Sequence, residues 1–287
     1  MTLPAAPRAS EAITAPSAHS RAIPAPASRE AIPPSIQSAW DSLATTLLGT
    51  PLGPLEDYVP YMEKYVKPIR QSRSSLSHTP VFVSDEYPPG ARFISCDEMG
   101  QYDQQMAAQP LDLNDLKDLD SAAQASRERL QYAGNIVLGQ CSGVSFSNRV
   151  VDSHNVLCSS DVWASKNIAY CFIAKECESL FGSPSVSVTK YGIKNFESWK
   201  DSRVMETMRV YESIDCYFSA NLENCADCLF CFNLRSKQRC IGNRPFSKDE
   251  FASLKKKLLE DIADELKRKK SLPSIVDLIG APMPKSG

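Results

Sequence analysis

The chain of 287 residues contains no apolar run near the roughly 20 residues that a membrane-spanning helix needs, so no membrane partner is expected. It also lacks an excess of either charge. Lys and Arg number 32 against 34 Asp and Glu, for a net charge of -2 and a pI near 6.0. A chain-wide basic footprint for nucleic acid is therefore not expected. The N-terminus shows no basic segment followed by an apolar core, so secretion by a signal peptide is not expected and the expected location is intracellular. Only three His and 12 Gly leave little material for histidine catalysis or glycine-rich phosphate loops.

What is present is a 43% hydrophobic chain, enough for one large or two small domains with a sizeable core. There are also ten cysteines. In a reducing compartment disulfides are not their first reading, which leaves core packing and metal binding.

Residues 1–35 are rich in Ala, Pro and Ser and carry a loose repeat: EAITAP at 11–16, RAIPAP at 21–26 and EAIPPS at 30–35. This composition buries too little apolar surface to offset chain entropy, and it predicts a disordered, polyproline-like arm. Its Ala-Ile pairs are candidate anchors. Residues 36–132 read as helical and irregular. A helix is expected over 36–49 with the stripe Ile36, Trp40, Leu43, Leu47 and Leu48, stopped by Gly49 and Pro51. A second is expected over 112–132.

From 134 to 243 the pattern changes. Reading every third residue from Leu138 to Cys240 gives aliphatic, Cys, Ser or Thr almost throughout, with a weak stretch at Gly192, Asn195, Ser198 and Asp201. The underlying unit is a hexad, as in SHNV at 153, SSDV at 159, SKNI at 165, SIDC at 213 and SANL at 219. A period of three slips about 60° per step on an α-helix and does not fit a flat strand. A corner-turning β-solenoid keeps it. Asn155, Asp161, Asn167, Asp215, Asn221, Asp227 and Asn233 precede the apolar position and suit corners, where a left-handed backbone is needed.

Trp163, Phe181, Trp199 and Tyr217 are spaced by 18, which predicts three hexads per coil, about six coils and one outward aromatic column. That column is the candidate interaction surface. Residues 247–270 then predict an amphipathic capping helix, opened by the Ser247/Glu250 box and carrying the stripe Phe251, Leu254, Leu258, Ile262 and Leu266. A tail occupies 271–287.

The cysteines Cys216, Cys225, Cys228, Cys231 and Cys240 invite a metal reading. Cys225, Cys228, Cys231 and Cys240 would be the ligands and zinc the ion. Eight of the nine cysteines between 141 and 240 lie on the every-third lattice, which favours core packing. No catalytic residue and no cofactor is assigned. His154 evokes the histidine of hexapeptide acyltransferases, but the glycines of that repeat are missing. Glu176/Glu178 and Asp201/Glu206, which could mimic a carbohydrate-active pair, read as solvated charges. So do the basic runs Lys255–Lys257 and Lys267–Lys270.

The stretch CADCLFCFNLRSKQRCIGNRPFSKDEF at 225–251 resembles the closing segment of uncharacterised Asn-Cys-x-x-Ser/Cys hexad-repeat proteins of uncultured bacteria, archaea and large viruses. The likeness covers about 150–270 and implies a solenoid without implying an activity. The expected function is therefore non-enzymatic: a scaffold making protein–protein contacts in a larger assembly, such as a virus particle. A zinc-stabilised binding module and a hexapeptide-transferase-like or carbohydrate-active enzyme are the alternatives.

Overall fold

The structure is a computed structural model that describes residues 31–84, 87–113 and 116–280. The Ala/Pro arm up to Glu30 and the tail from residue 281 lie outside the described residues.

Between Val137 and Ile241 the chain forms a parallel β-solenoid of about nine coils. Its register is 12 residues. Ile168 pairs with Val156 on one side and Leu180 on the other, and Val162 lies between Val150 and Ala174. Each coil is thus two hexads, not three, and there are nine coils rather than six.

The backbone explains the difference. From Gly143 to Gly242 every third residue has a positive φ; one coil carries Asn155 at 54°, Cys158 at 45°, Asp161 at 56° and Ala164 at 46°. Each left-handed residue turns a corner, and four corners close the coil after 12 residues. All seven Asn and Asp residues picked from sequence sit at such corners. They occupy only two of the four corner rows, so the sequence displays a period of six while the chain turns every three. Neighbouring corners also bond to each other: Asn155 Nδ2 donates to Asn167 Oδ1 at 2.9 Å, and Asn221 to Asn233 at 3.0 Å.

One side chain in three points inward. Two of the four inward rows are aliphatic in the first half, as in Val156, Ile168 and Leu180, and continue as Val204, Cys216, Cys228 and Cys240. The other two rows are small and polar, and their hydroxyls are hydrogen-bonded within the interior; Asp201 Oδ2 is the exception among the described residues of these rows. Ser165 Oγ donates to Trp163 O at 2.7 Å and accepts from Cys177 N of the next coil at 3.0 Å. Ser153, Ser159, Ser213 and Ser219 repeat the arrangement. The weak stretch keeps register too: Gly192, Asn195, Ser198 and Asp201 are all buried. Leu138 does not. The first coil is one residue longer, pairing Leu138 with Val151, so Leu138 falls on an outward row and is half exposed; the inward lattice starts at Cys141.

Helix α1 (Pro34–Leu48) lies along one flank of the solenoid. It starts two residues earlier than expected because Pro33 and Pro34 suit a helix N-terminus. An α-helical turn rises about 5.4 Å and a coil about 4.8 Å, so successive turns meet successive coils. The outward row Leu157, Ala169, Phe181, Ile193, Met205, Tyr217 and Leu229 joins Ile36, Trp40, Leu43 and Leu47 in one core. Trp40 packs on Phe181 with ring centroids 5.5 Å apart, and Tyr217 OH donates to Leu47 O at 3.2 Å. Burying each such side chain contributes about 1.5–3 kcal/mol.

A 3₁₀ turn at Leu55–Tyr58 leads into α2 (Val59–Glu63) on the same side. The hairpin of β1 (Arg70–Arg73) and β2 (Pro80–Val83) follows, then β3 (Phe93–Ser95), α3 (Met99–Ala108), α4 (Leu119–Arg129) and β4 (Tyr132–Gly134), which pairs with β3. These strands meet the first coil: Phe82 stacks edge-on against Phe146 at 5.2 Å, and Phe82 N donates to Asn135 Oδ1 at 2.7 Å. A Cβ on Gly134 would lie 2.4 Å from Val81 Cγ1, so only glycine fits there. Residues 51–110 are thus more ordered than expected. The helix foreseen over 112–132 is confined to α4, and its apolar positions Leu119 and Leu130 are exposed.

Helix α5 (Lys248–Lys269) follows the last coil with the expected Ser247/Glu250 capping box. Its buried residues, Phe251, Ile262, Ala263 and Leu266, face α1 and the flank of the last coils. The edge of the last coil is met by Arg244–Pro245, paired antiparallel to Cys240 and Ile241. Helix α6 (Ile275–Gly280) closes the described chain.

Candidate interaction surface

A spacing of 18 is one and a half coils, so the aromatic column divides between opposite flanks. Phe181 and Tyr217 face α1 and are buried, with exposures of 0% and 2%. The region before the solenoid therefore folds back over half of the column. Trp163 and Trp199 stand on the other side in the row Val151, Trp163, Lys175, Ser187, Trp199, Tyr211, Glu223 and Arg235. Trp199 is 41% exposed, and Tyr211, paired with it in register, is 39% exposed. Exposed Val188 and Ile214 extend the patch on the neighbouring rows. Lys200 Nζ sits 4.1 Å from the Trp199 ring centroid and pairs with Glu212 at 3.4 Å. The patch is an aromatic platform rimmed by charge, the composition that protein contacts favour. Tyr211 was missed in the sequence because the spacing of 18 skips it.

Two carboxylates expected in solvent are buried: Asp201 is 2% exposed and Glu206 0%. Asp201 points into the coil interior. Glu206 sits at a corner, directly above Lys194, which is also fully buried. Lys194 Nζ donates to Tyr61 O at 2.9 Å and Lys64 O at 2.7 Å, capping the end of α2. The rings of Tyr61, Tyr65 and Phe196 surround it at 5.0, 5.9 and 5.7 Å. Glu206 accepts from Tyr61 OH at 2.5 Å, and from Ser274 Oγ and Ile275 N at 2.8 Å each, at the start of α6. A cation at a helix C-terminus and an anion at a helix N-terminus are each favoured by the local dipole. Burial lowers Lys194 to about 8 and raises Glu206. The two residues form a latch that holds both terminal segments to one face.

The cysteines of the lattice face the interior. Cys171, Cys177, Cys216, Cys225, Cys228, Cys231 and Cys240 are buried, and all ten are free thiols. Cys225, Cys228 and Cys231 occupy successive inward positions with Cys216 and Cys240 in the same core. Their sulfurs donate to carbonyls two residues back, as the serines do: Cys231 Sγ to Leu229 O at 3.3 Å, and Cys225 Sγ to Glu223 O at 3.4 Å. Burial pushes Cys171 up to about 12 and Cys177 to about 11. Cys228 is raised by the facing Cys216 thiol and Cys231 by Cys228, with burial adding to both. Among the described residues no group of three or more His, Cys, Asp or Glu is arranged to hold a metal ion.

A thiol reagent on the native protein is expected to reach at most Cys96, Cys141 and Cys158, which are half-buried; the other seven react only on unfolding. Fast labelling of all ten without denaturant would contradict this packing.

His154 is exposed at a strand start, its Nδ1 2.9 Å from Ser142 Oγ. Glu176 is exposed, and Glu178 pairs with Lys190 at 3.5 Å. A groove of about 830 Å³ runs between the end of α1 and α5, floored by Arg203, Asp215 and Tyr217. Two of its cations are engaged: Arg203 pairs with Asp215, and Lys255 with Asp227 at 2.7 Å and Asp215 at 3.5 Å. Lys255 thus leaves the solvated face expected for it, whereas Lys256 stays exposed. Among the described residues no helix is long and apolar enough to cross a membrane. Compared with known proteins, the chain matches no family model and no curated protein.

Proposed function

We propose that this chain is a non-enzymatic assembly component: a stiff solenoid that presents its uncovered aromatic flank to another protein. The observation that carries the reading is the unequal treatment of two equivalent flanks. Phe181 and Tyr217 lie under α1, while Trp199 and Tyr211, on the opposite flank, stay 41% and 39% exposed. Tryptophan and tyrosine on a rigid surface give large contact area at low entropic cost, and they dominate binding energy where they occur. The parallel ladder, closed by hydrogen bonds from coil to coil, supplies the rigidity. A rigid body preceded in sequence by an Ala/Pro-rich segment suits a component of a multi-copy particle, a virus particle among them.

Trp199→Ala is the test. The side chain lies outside the core, so unfolding should shift by less than about 1 kcal/mol. Retention in the native assembly isolated from cells should fall by tenfold or more, as for an interface anchor worth about 1.4 kcal/mol or above. Wild-type retention would remove this flank from the contact.

A further inference from the structure

We infer that two copies of this chain pair head to head through the open end of the first coil, each completing the other's strand edges about a two-fold axis. The contact is separate from the Trp199–Tyr211 flank and does not depend on it. It follows from the unequal treatment of the two ends of the solenoid.

Each end of a stack of parallel coils is a strand edge, with backbone donors and acceptors around the mouth of the interior. The last coil closes its end. Arg244–Pro245 pairs antiparallel with Cys240 and Ile241. The Asn243 side chain stands in for a further strand: its Oδ1 accepts from Phe232 N at 2.8 Å and its Nδ2 donates to Phe232 O at 2.9 Å. Lys237 holds an inward position of the every-third lattice and is exposed, and Arg235 and Arg244 are exposed on the same coil end. Proline and charge placed on or inside an edge keep it from pairing with another chain. Beneath these groups Cys231 and Cys240 stay buried.

Among the described residues the first coil has none of these devices. Its strands β5 (Val137–Leu138) and β6 (Ser142–Ser145) pair in parallel only with the second coil. In that second coil Ser153 O accepts from Ser142 N of the coil before it. The matching carbonyl of the first coil belongs to Cys141 and has no earlier coil to meet. The interior runs out unprotected as well. Val150 and Val156 are fully buried, whereas Val137, stacked on Val150, is exposed, and Val144, stacked on Val156, is half-buried. The strands that precede the solenoid meet the first coil at Asn135 and Phe146, to either side of this edge. Between those points residues 137–143 are exposed apart from half-buried Cys141.

Charge names the occupant. The chain is 23% charged, yet residues 131–148 contain no Asp, Glu, Lys, Arg, His or Pro. Across a two-fold axis a patch meets itself, so charge of one sign there would repel its own copy. A neutral edge carries no such cost. The last coil of another copy is the wrong partner, since its edge is already paired and its mouth is cationic. The first coil of a second copy has the open backbone groups, the neutrality and the uncovered valines that match. Related by a two-fold axis, the two edges run antiparallel, so β6 bonds to β6 of the mate. Val137 and Val144 of each copy then close the interior of the other.

The test is sedimentation velocity of the full-length chain over a concentration series, with two charge variants. One carries Val137→Lys and Gln140→Lys, the other Val137→Glu and Gln140→Glu. Both side chains are exposed, and urea titration checks that the variants unfold as the wild type does. If a double variant is less stable, Gln140→Lys and Gln140→Glu alone carry the same comparison. The wild type is expected to form a dimer that grows no further. Each variant alone should need about tenfold or more higher concentration to dimerise, because like charges meet across the axis. Mixing the two variants in equal amounts should restore dimers, and Trp199→Ala should leave them intact. A wild type that stays monomeric up to its solubility limit, filaments that grow without limit, or charge variants that dimerise as the wild type does would each overturn the inference. So would dimers lost in Trp199→Ala, which would move the contact to the aromatic flank. A dimer that persists while Trp199→Ala keeps wild-type retention in the native assembly would support this inference and remove the flank contact proposed above.

Discussion

Replacing Glu206 by alanine is expected to lower unfolding free energy by about 3 kcal/mol or more and to free both terminal segments together. The carboxylate satisfies three donors: Tyr61 OH, Ser274 Oγ and Ile275 N. Its loss leaves the two on the α6 side without their acceptor and removes the negative charge that favours the Lys194 ammonium. Lys194 then keeps only the carbonyls of Tyr61 and Lys64 and its ring cage. Because α2 and α6 are held by stacked neighbours on one corner row, and are joined by Lys64 and Tyr65 to Asp277, loosening one loosens the other. Glu206→Gln keeps an acceptor without the charge and should lose about half as much. Hydrogen exchange should accelerate at 61–66 and 274–278 in the Ala variant while the interior ladder from Val150 to Val186 stays protected. Exchange that rises at α6 alone, or stability within about 0.5 kcal/mol of wild type, would show that the latch does not join the two segments. Combining Lys194→Met with Glu206→Gln should cost less than the sum of the two, since each leaves the other's charge buried and unbalanced.

The solenoid was legible from residues alone because an interior that admits one side chain in three writes that period into the sequence. The coil length was legible as well, but in a different place from the aromatic spacing. Arg149 and Asp161, Glu178 and Lys190, Glu197 and Arg209, Lys200 and Glu212, Arg203 and Asp215, and Glu223 and Arg235 are opposite charges 12 residues apart, and each pair is in contact. Exposed pairs of this kind contribute little energy, yet they follow register closely because stacked coils put them side by side. The aromatic column misled for a physical reason. Phe181 and Tyr217 answer to α1, Trp163 and Trp199 to the opposite flank, and no shared constraint relates them. The left-handed corners at Cys158, Ala164, Tyr170 and Glu176 carry no Asn or Asp signature, so half of the corners were invisible. Trp199 was recognisable as an outward aromatic. The latch was not: Lys194 and Glu206 look like one more surface pair at a spacing of 12, and only their partners at Tyr61 and Ser274, far away in sequence, reveal that they are buried.

Replacing Asp201 by asparagine is expected to stabilise the protein, by an amount that grows with pH. Asp201 stands in an inward row between Thr189 and Ser213, where serine, threonine and cysteine are the usual occupants. Its Oδ1 accepts from Ser213 N at 2.9 Å, while Oδ2 is buried without a hydrogen-bond partner. Burial raises its pKa to about 8. The acid is therefore largely neutral in the native protein near pH 7, and its hydroxyl can turn to a carbonyl two residues back, as the serines of the row do. In the unfolded chain the same group ionises near 3.9. Between these values the native state holds a proton that the unfolded state does not, so stability falls as pH rises, by about 1.4 kcal/mol per unit, and levels off above about 8. Asparagine keeps the acceptor for Ser213 N, supplies a permanent donor and does not titrate. Below about pH 4 the two proteins should unfold at nearly the same denaturant concentration. By pH 8 the variant should lead by several kcal/mol, on the order of 3–5. The check is a series of urea titrations from pH 3.5 to 9 on both proteins. A difference that stays flat across the series would mean that Asp201 is ionised in the native state, with a cation or water at Oδ2 carrying its charge.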